Sequence, residues 1–496
     1  AEAVNAGDTY AGRTVYLGAD IDLNNATWTP IGLNADDAKK FKGTFDGQNF
    51  TIKNFKVAIG DVYQAAGFFG ALNGTAKNFT IDGATISSQS TGNASNITDN
   101  GVAVVAGSIY PSGSIENVTV RNSSAKSLHY VAGIAGYVEK GAIKNCTVES
   151  SEFVCTPHLK TNSETDYDNG DKAGGIVGHM DANSNVKNCS VSNVTIKGYR
   201  ELGGIVGYAG NKDNVTVCSV SNVTLIQDNT NGYAEAVPTT LGALVGGYGD
   251  KPYSYYDGED ALAVTKIHVV GTASVLKSVL EAAGSGTGDR TISITANLDF
   301  SEVNWTPVMV DGQVGAGVVT VEGNNHMIKK LKDALFAGGF AGKSGIVIKN
   351  LTIDGSGVTI NNSTDTLGWG YFIKTIDSMP TITLENCHLK NANVTSTGGA
   401  RVGGLIGWTA GYNKENDGPV KTYVTIEDCS VKDSKITANG SVGAINGHAG
   451  NNAWTFTTIT NCTVTNCTLN SKDDGSWRVG VVVGTANVGE VTISNI

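Results

Sequence analysis

The chain has 496 residues, a formal net charge of −11 and a charged fraction of 16%, low for a globular protein. This acidic balance excludes a nucleic-acid partner, because phosphate neutralisation needs clustered Lys and Arg. The apolar share of 40% supports a large core rather than disorder, and no run approaches ~18 consecutive apolar residues, so no helix is expected to span a membrane. The opening "AEAVNAGDTY" has neither an initiator Met nor a charged and apolar leader, so a removed signal or an excised fragment is expected.

The first predicted element is the end of a capping helix, "AEAVNA". The stretch that follows, "AGDTYAGRTVYLGADIDLNNATWTPI" (Ala6–Ile31), matches "AGSGTGDRTISITANLDFSEVNWTPV" (Ala283–Val308) without a gap. Arg13 pairs with Arg290, Trp28 with Trp305 and Pro30 with Pro307. Two homologous halves follow from this match. Residues 1–250 are read as a first domain, 251–262 as a linker in a Tyr-, Gly- and Asp-rich stretch, and 263–496 as a second domain. A capping helix is predicted near 274–283, where Val275, Leu276, Val279 and Leu280 share one stripe and Ser274 can serve as N-cap.

A shorter unit recurs within each half. It begins Gly-Gly-apolar-apolar-Gly, as in "GGIVG" (Gly174–Gly178 and Gly203–Gly207) and "GGLIG" (Gly403–Gly407). It continues as apolar-x-Asn-Cys-x-Val-x-Asn. The Cys position reads Phe50, Phe79, Val118, Cys146, Cys189 and Cys218 in the first half, then His326, Leu351, Cys387, Cys429, Cys462 and Val491 in the second. Repeats of ~20–50 residues indicate a solenoid, propeller or array. Short segments with period-2 alternation, few helix-period segments and polar inserts between units favour an all-β parallel β-helix (β-solenoid) in two tandem domains. A propeller is the alternative. The residue before the Cys position is Asn49, Asn78, Asn117, Asn145 and Asn188, then Asn325, Asn350, Asn386, Asp428 and Asn461, with Val217 as the exception. Asn tolerates the left-handed corner such a repeat needs, and stacked amides can hydrogen-bond from repeat to repeat.

Six of the eight cysteines share a column with Phe, Val and Leu, and a position accepting all four is a core position. Cys467 falls where other repeats carry Val194, Val223 or Ala392, and only Cys155 lies outside the pattern. Buried free thiols are expected. Parallel Cβ vectors disfavour bridges between repeats, and without a Cys-x-x-Cys pair zinc has no support.

Few motifs carry chemistry. "GGFAGKSG" (Gly338–Gly345) lacks the first Gly of a phosphate-binding loop and is read as a repeat unit aligned with "AGFFGALNG" (Ala66–Gly74). No histidine pair has ligand spacing, and no nucleophile elbow occurs. The insert "ETDYDNGD" holds Glu164, Asp166, Asp168 and Asp171; a solvated loop is the first reading and a Ca2+ loop the second, although the EF-hand spacing is broken. No cofactor is otherwise expected. The residues after the Gly-apolar-Gly unit, Tyr137, His179, Tyr208, Trp408 and His448, form an aromatic and imidazole stripe. Exposed, it would stack on sugars or a protein partner; alternatively it packs on a neighbouring corner.

"AGIAG", "GGIVGY" and "GGLIGW", followed by "IKNCTV" or "VKNCSV", resemble the GLUG motif of bacterial surface proteins. "ADIDLNNATWTPIG…FKGTFDGQNFTIKNF", closed by "AAGFFG", is similar to the N-terminal unit of those proteins. "GVVVG", "GAING" and the second half's "VMVDGQVGAGVVTVEGNN" depart from that pattern. The resemblance implies a right-handed parallel β-helix on the bacterial cell surface, adhesin-like and without catalytic residues. The expected function is therefore non-enzymatic binding of carbohydrate or an extracellular protein. The contacts are expected on the inserts Ser87–Gly101, Cys155–Lys172 and Thr409–Tyr423, because loops on a rigid scaffold carry function. A polysaccharide lyase or hydrolase and a structural spacer are the alternatives.

Overall fold

The computed structural model describes residues 1–32, 37–60, 65–88, 101–156, 172–228, 241–249, 264–285, 289–311, 317–340, 344–365, 367–398, 401–414, 418–450, 453–472, 478–487 and 489–496. It forms two compact units, Ala1–Asp228 with Ala236–Ile267, and Asn229–Glu235 with His268–Ile496. Both are all-β and β-helix-like, built from short strands in parallel sheets. Among the described residues the hairpin Tyr412–Lys414 with Gly418–Val420 is the one antiparallel pairing. No described helix is long and apolar enough to cross a membrane.

In the first unit each repeat pairs with its equivalent in the next. Val131 lies opposite Ala173, which lies one repeat from Leu202 and then Leu241. Ala135 is followed likewise by Val177, Val206 and Val245, and Val148 by Val191 and Val220. Strand Ser190–Gly198 shows how sequence sets this register. Val191 and Val194 are both buried although three apart, because Asn193 between them sits at φ 54°. A left-handed residue resets the two-residue alternation and turns the chain while both valines stay inward.

The asparagine column is such a corner. Asn78, Asn117, Asn145 and Asn188 have φ between 54° and 57°. Asn117 Nδ2 donates to Asn78 Oδ1 at 3.0 Å, Asn145 to Asn117 at 3.0 Å and Asn188 to Asn145 at 2.8 Å. A second corner column adds Asn122 bonded to Asp82 at 2.8 Å and Asn222 bonded to Asn193 at 2.7 Å. Val217 occupies the first column at φ 55° and is 74% exposed.

The second unit repeats the scheme. Asn386 donates to Asn350 at 2.8 Å, and Asn466 to Asp433 at 2.7 Å. Helix Ala273–Ser285 places Val275, Leu276, Val279 and Leu280 in one core with Phe300, Trp305 and Val308. Its cap is Thr272 rather than Ser274: the Thr272 hydroxyl accepts from the Val275 N–H at 3.4 Å, and the Thr272 carbonyl from Leu276 N–H at 3.1 Å. Arg290 is buried against this helix, its guanidinium donating to the Ala283 carbonyl at 3.4 Å. Its sequence partner Arg13 stays half-exposed, paired with Asp8 and 4.1 Å from the Tyr10 ring centre.

Two sequence alignments need correction. Val491 pairs with Thr457, so the last repeat's Cys-equivalent is Ile496, preceded by Asn495 at φ 53° with its amide 3.1 Å from Asn461 Oδ1. Phe336 pairs with Ile373, which pairs with Ile406. The repeat unit is therefore centred on Ala334–Phe336, and Gly338 lies in register with Thr375. Glycine positions hid this repeat unit, because Ala334 and Ala337 stand where other repeats have Gly.

Candidate functional site

The glycine unit positions the side-chain column that follows it. A Cβ on Gly174, Gly203 or Gly403 would fall onto the carbonyl of Val177, Val206 or Ile406. The chain therefore folds back tightly there, and the next outward side chains stack from repeat to repeat. In the first unit Ser108, Tyr137, His179, Tyr208 and Gly247 are in register. In the second, Gly338, Thr375, Trp408, His448 and Thr485 are. The five residues singled out from sequence thus form two columns, one in each unit.

These columns are not an exposed stripe. Tyr137 is 7% exposed, Trp408 8% and His448 2%, while His179 and Tyr208 are half-buried. His179 is edge-on to Tyr130, Tyr137 and Tyr208, with ring centres 4.7, 5.4 and 4.9 Å away. Tyr137 Oη donates to Asp181 at 3.3 Å, and Tyr208 Oη to the Gly249 carbonyl at 2.5 Å. The Lys172 ammonium lies 5.0 Å from the Tyr208 ring centre and 3.5 Å from Glu201 Oε2. Burial, then the Lys172 charge, lowers His179 to about 3. Burial also raises the Glu201 carboxyl, and Lys172 and Arg200 only partly oppose it. In the second unit burial, then Arg401, lowers His448 to about 4. Among the described residues neither His448 ring nitrogen nor Trp408 Nε1 has a hydrogen-bond partner. Sequence missed Lys172, Glu201 and Arg401, each two residues before its repeat's Gly-Gly pair, and Tyr130 at the equivalent place before Ala132 and Gly133.

All eight cysteines are free thiols. Six stack in two core runs, Cys146–Cys189–Cys218 and Cys387–Cys429–Cys462. The Cys146 thiol and burial push Cys189 up to about 12, the opposite of a nucleophile's environment. Cys155 is also buried and lies 2.6 Å from the His129 carbonyl, to which it donates.

Glu164, Asp166, Asp168 and Asp171 lie outside the described residues, as do 89–100 of the first insert. Among the described residues no group of three or more His, Cys, Asp or Glu could hold a metal ion. Carboxylates on the corners serve the ladders. Burial raises Asp354, but hydrogen bonds from Asn391 and Ser356 outweigh it and leave it at about 2.

Two shallow polar grooves follow the second corner, one in each unit. The first, about 610 Å³, is lined by Thr85, Asn122, Ser124, Ser150, Glu152 and Asn193. The second, about 620 Å³, is lined by Ser356, Asn391, Asn393, Asp433, Lys435 and Asn466. A further feature escaped sequence reading: Tyr423 and Phe456, opposite each other on adjacent strands, stack with ring centres 5.2 Å apart. Each stands six residues before its repeat's Cys (Cys429 and Cys462), so aligning those two repeats on their cysteines would have paired the rings.

Comparison with known proteins gives one family. Residues 172–197, from Lys172 through the 185–196 corner segment, match the GLUG motif family. No curated protein matches the chain. Among solved structures, one described as a "putative immunoglobulin A1 protease from Bacteroides ovatus" is 17% identical with a TM-score of 0.30, covering 68% of this chain and 78% of its own. The Azotobacter vinelandii mannuronan C-5 epimerase AlgE6 A-module is 10% identical with a TM-score of 0.19, covering 91% of each chain. The chain thus carries a GLUG motif at residues 172–197, seated on registered parallel repeats.

Proposed function

We propose that the protein is a non-enzymatic, adhesin-like binding protein of the bacterial cell surface. In this reading each half is a right-handed parallel β-helix, with domains at 1–250 and 263–496, and its ligand is a glycan or an extracellular protein. One observation carries the reading. Among the described strands of the first unit, Thr85–Ser88, Glu152–Cys155 and Ser219–Asp228 end one column and Val102–Ala103, Lys172–Gly174 and Leu241–Gly242 begin another, and the sequence inserts 89–100, 157–171 and 229–240 lie between them in the chain. Variable segments gathered on one edge of a rigid scaffold are how loop-based recognition is built. The Tyr137–His179–Tyr208 column, capped by Lys172 at the end of one insert, serves as the packed footing of that edge. The engaged corner carboxylates support a binding role over a catalytic one.

The test is a glycan and matrix-protein binding screen with 89–100, 157–171 and 229–240 deleted in turn. Loss of one ligand on one deletion is expected. Unchanged binding in every deletion would sink the reading, and turnover of a glycan would replace it with the polysaccharide-enzyme alternative.

A further inference from the structure

The second unit carries an aromatic pair on the outer face of its longest strand stack. Strand Thr422–Glu427 buries Thr422, Val424 and Ile426, and directs Tyr423 outward at 49% exposure. Phe456 follows in register on strand Thr455–Thr460. The rings stack at 5.2 Å with planes 19° apart, and the Lys421 ammonium lies 5.7 Å from the Phe456 ring centre. On the preceding repeat the same position is Thr381, exposed and too small to cover a ring. On the following repeat it is Glu490, also exposed. At the next outward position along each strand a threonine recurs in register: Thr383, Thr425, Thr458 and Thr492.

We propose that Tyr423 and Phe456, with this threonine row, are a binding platform for a neutral polysaccharide. Aromatic rings offer dispersion and a negative face to the C–H side of a sugar ring. The threonine hydroxyls, one per repeat at ~4.8 Å, can both donate to and accept from sugar hydroxyls. Glu490, Glu427 and Glu385 border the same face, the last paired with Lys349 at 2.7 Å. They accept hydrogen bonds from neutral sugars and repel uronate or sulfate groups. Registered strands hold the platform, so little ordering is lost on binding. This goes beyond the insert reading: Tyr423 closes the insert Thr409–Tyr423, but Phe456 and the threonines lie on strands.

The experiment is affinity electrophoresis of the full chain through a mixed-linkage β-glucan, a galactomannan and a xylan, with polygalacturonate as the acidic arm. At least one neutral polymer should retard the protein, and polygalacturonate should not. The double variant Tyr423→Ala/Phe456→Ala should lose ~tenfold or more in affinity, about 1.4 kcal/mol, while Tyr423→Phe stays within about twofold. Thr425→Arg, which leaves both rings in place and blocks the row, should lose binding as well, and hydrogen exchange at 422–427 and 455–460 should slow when glycan is added. Deletion of 89–100 or 157–171 should leave this retention intact, so its failure and that of insert-borne adhesion are separable. Retardation by polygalacturonate alone, no retardation by any neutral polymer, or retention unchanged in the double variant and in Thr425→Arg would each overturn the proposal. So would a protein ligand that tracks the same variants while no glycan binds.

Discussion

The two units differ most where their outer strands begin. In the first unit the strands enter at Ser114, Ala142 and Asn185, close to the corners Asn117, Asn145 and Asn188. In the second they enter at Thr381, Thr422 and Thr455, well ahead of Asn386, Asp428 and Asn461. That longer lead gives the second unit a broad outer face, and Tyr423, Phe456 and the threonine row stand on it. The first unit has a short outer face, and its longer sequence inserts precede strands that carry a buried ion pair and a tyrosine–histidine cluster. One repeat thus supports two kinds of surface, and the lead length before the corner decides which.

The comparison rests on both units sharing one folded repeat, which the largest expected effect tests. Gly203→Ala and Gly403→Ala each drive a Cβ into backbone, where nothing flexible can yield. Each should destabilise its own unit by about 3 kcal/mol or more. Denaturant unfolding with segment-resolved hydrogen exchange reads this, and loss confined to the wrong unit would break the equivalence.

Next is acid. His179 is held neutral in the folded state, down to about 3, whereas an unfolded His takes a proton near ~6.5. The unfolded chain binds more protons between those values, so the first unit loses stability as pH falls from about 6.5 toward 3, by a few kcal/mol at most. His448, at about 4, does the same for the second unit over a narrower window. Asp354 has the other chemistry but the same sign: its stabilisation is present above ~4 and is lost as pH falls toward about 2. Unfolding of both units from pH 8 to 3, with the His179→Phe variant as reference, checks the order. A first unit no more acid-sensitive than its variant would refute the assignment.

The ladders come third. Asn188→Ala and Asn386→Ala remove an amide bridge and leave Ala at a positive φ, at about 1–2 kcal/mol each. The smallest expected change is a gain. Val217 is β-branched, exposed and at φ 55°, a conformation L side chains avoid. Val217→Asn should stabilise the first unit by about 1 kcal/mol, read as a higher denaturant midpoint at unchanged slope. No gain would show that the last first-column corner of that unit carries no strain.

Much of this was legible in sequence because a repeat tests itself. A column containing Phe, Val, Leu and Cys is inward whichever residue is inspected, and the structure finds Phe79, Val118, Leu351 and Cys387 buried. Asn at the next column had a backbone reason, and its φ values confirm it. The misreadings fall where the pattern is carried by something other than residue type. Ala334 replaces a glycine, Ile496 completes a repeat too short to show its unit, and Thr272 competes with Ser274 as cap. The site was less legible still. That Tyr137, His179 and Tyr208 share a column could be read; that they are covered could not, because their cover comes from Tyr130 and Lys172 on another strand.

By itself, then, the sequence determined the repeat, its corners and its inward positions, because steric rules at Asn and Gly and the need to bury apolar side chains act on neighbours in the chain. Tertiary structure decided exposure. Whether an aromatic ring is footing or platform depends on what the adjacent repeat places opposite it: Tyr130 covers His179, whereas Thr381 leaves Tyr423 open. That neighbour is dozens of residues away in sequence and a single strand spacing away in space.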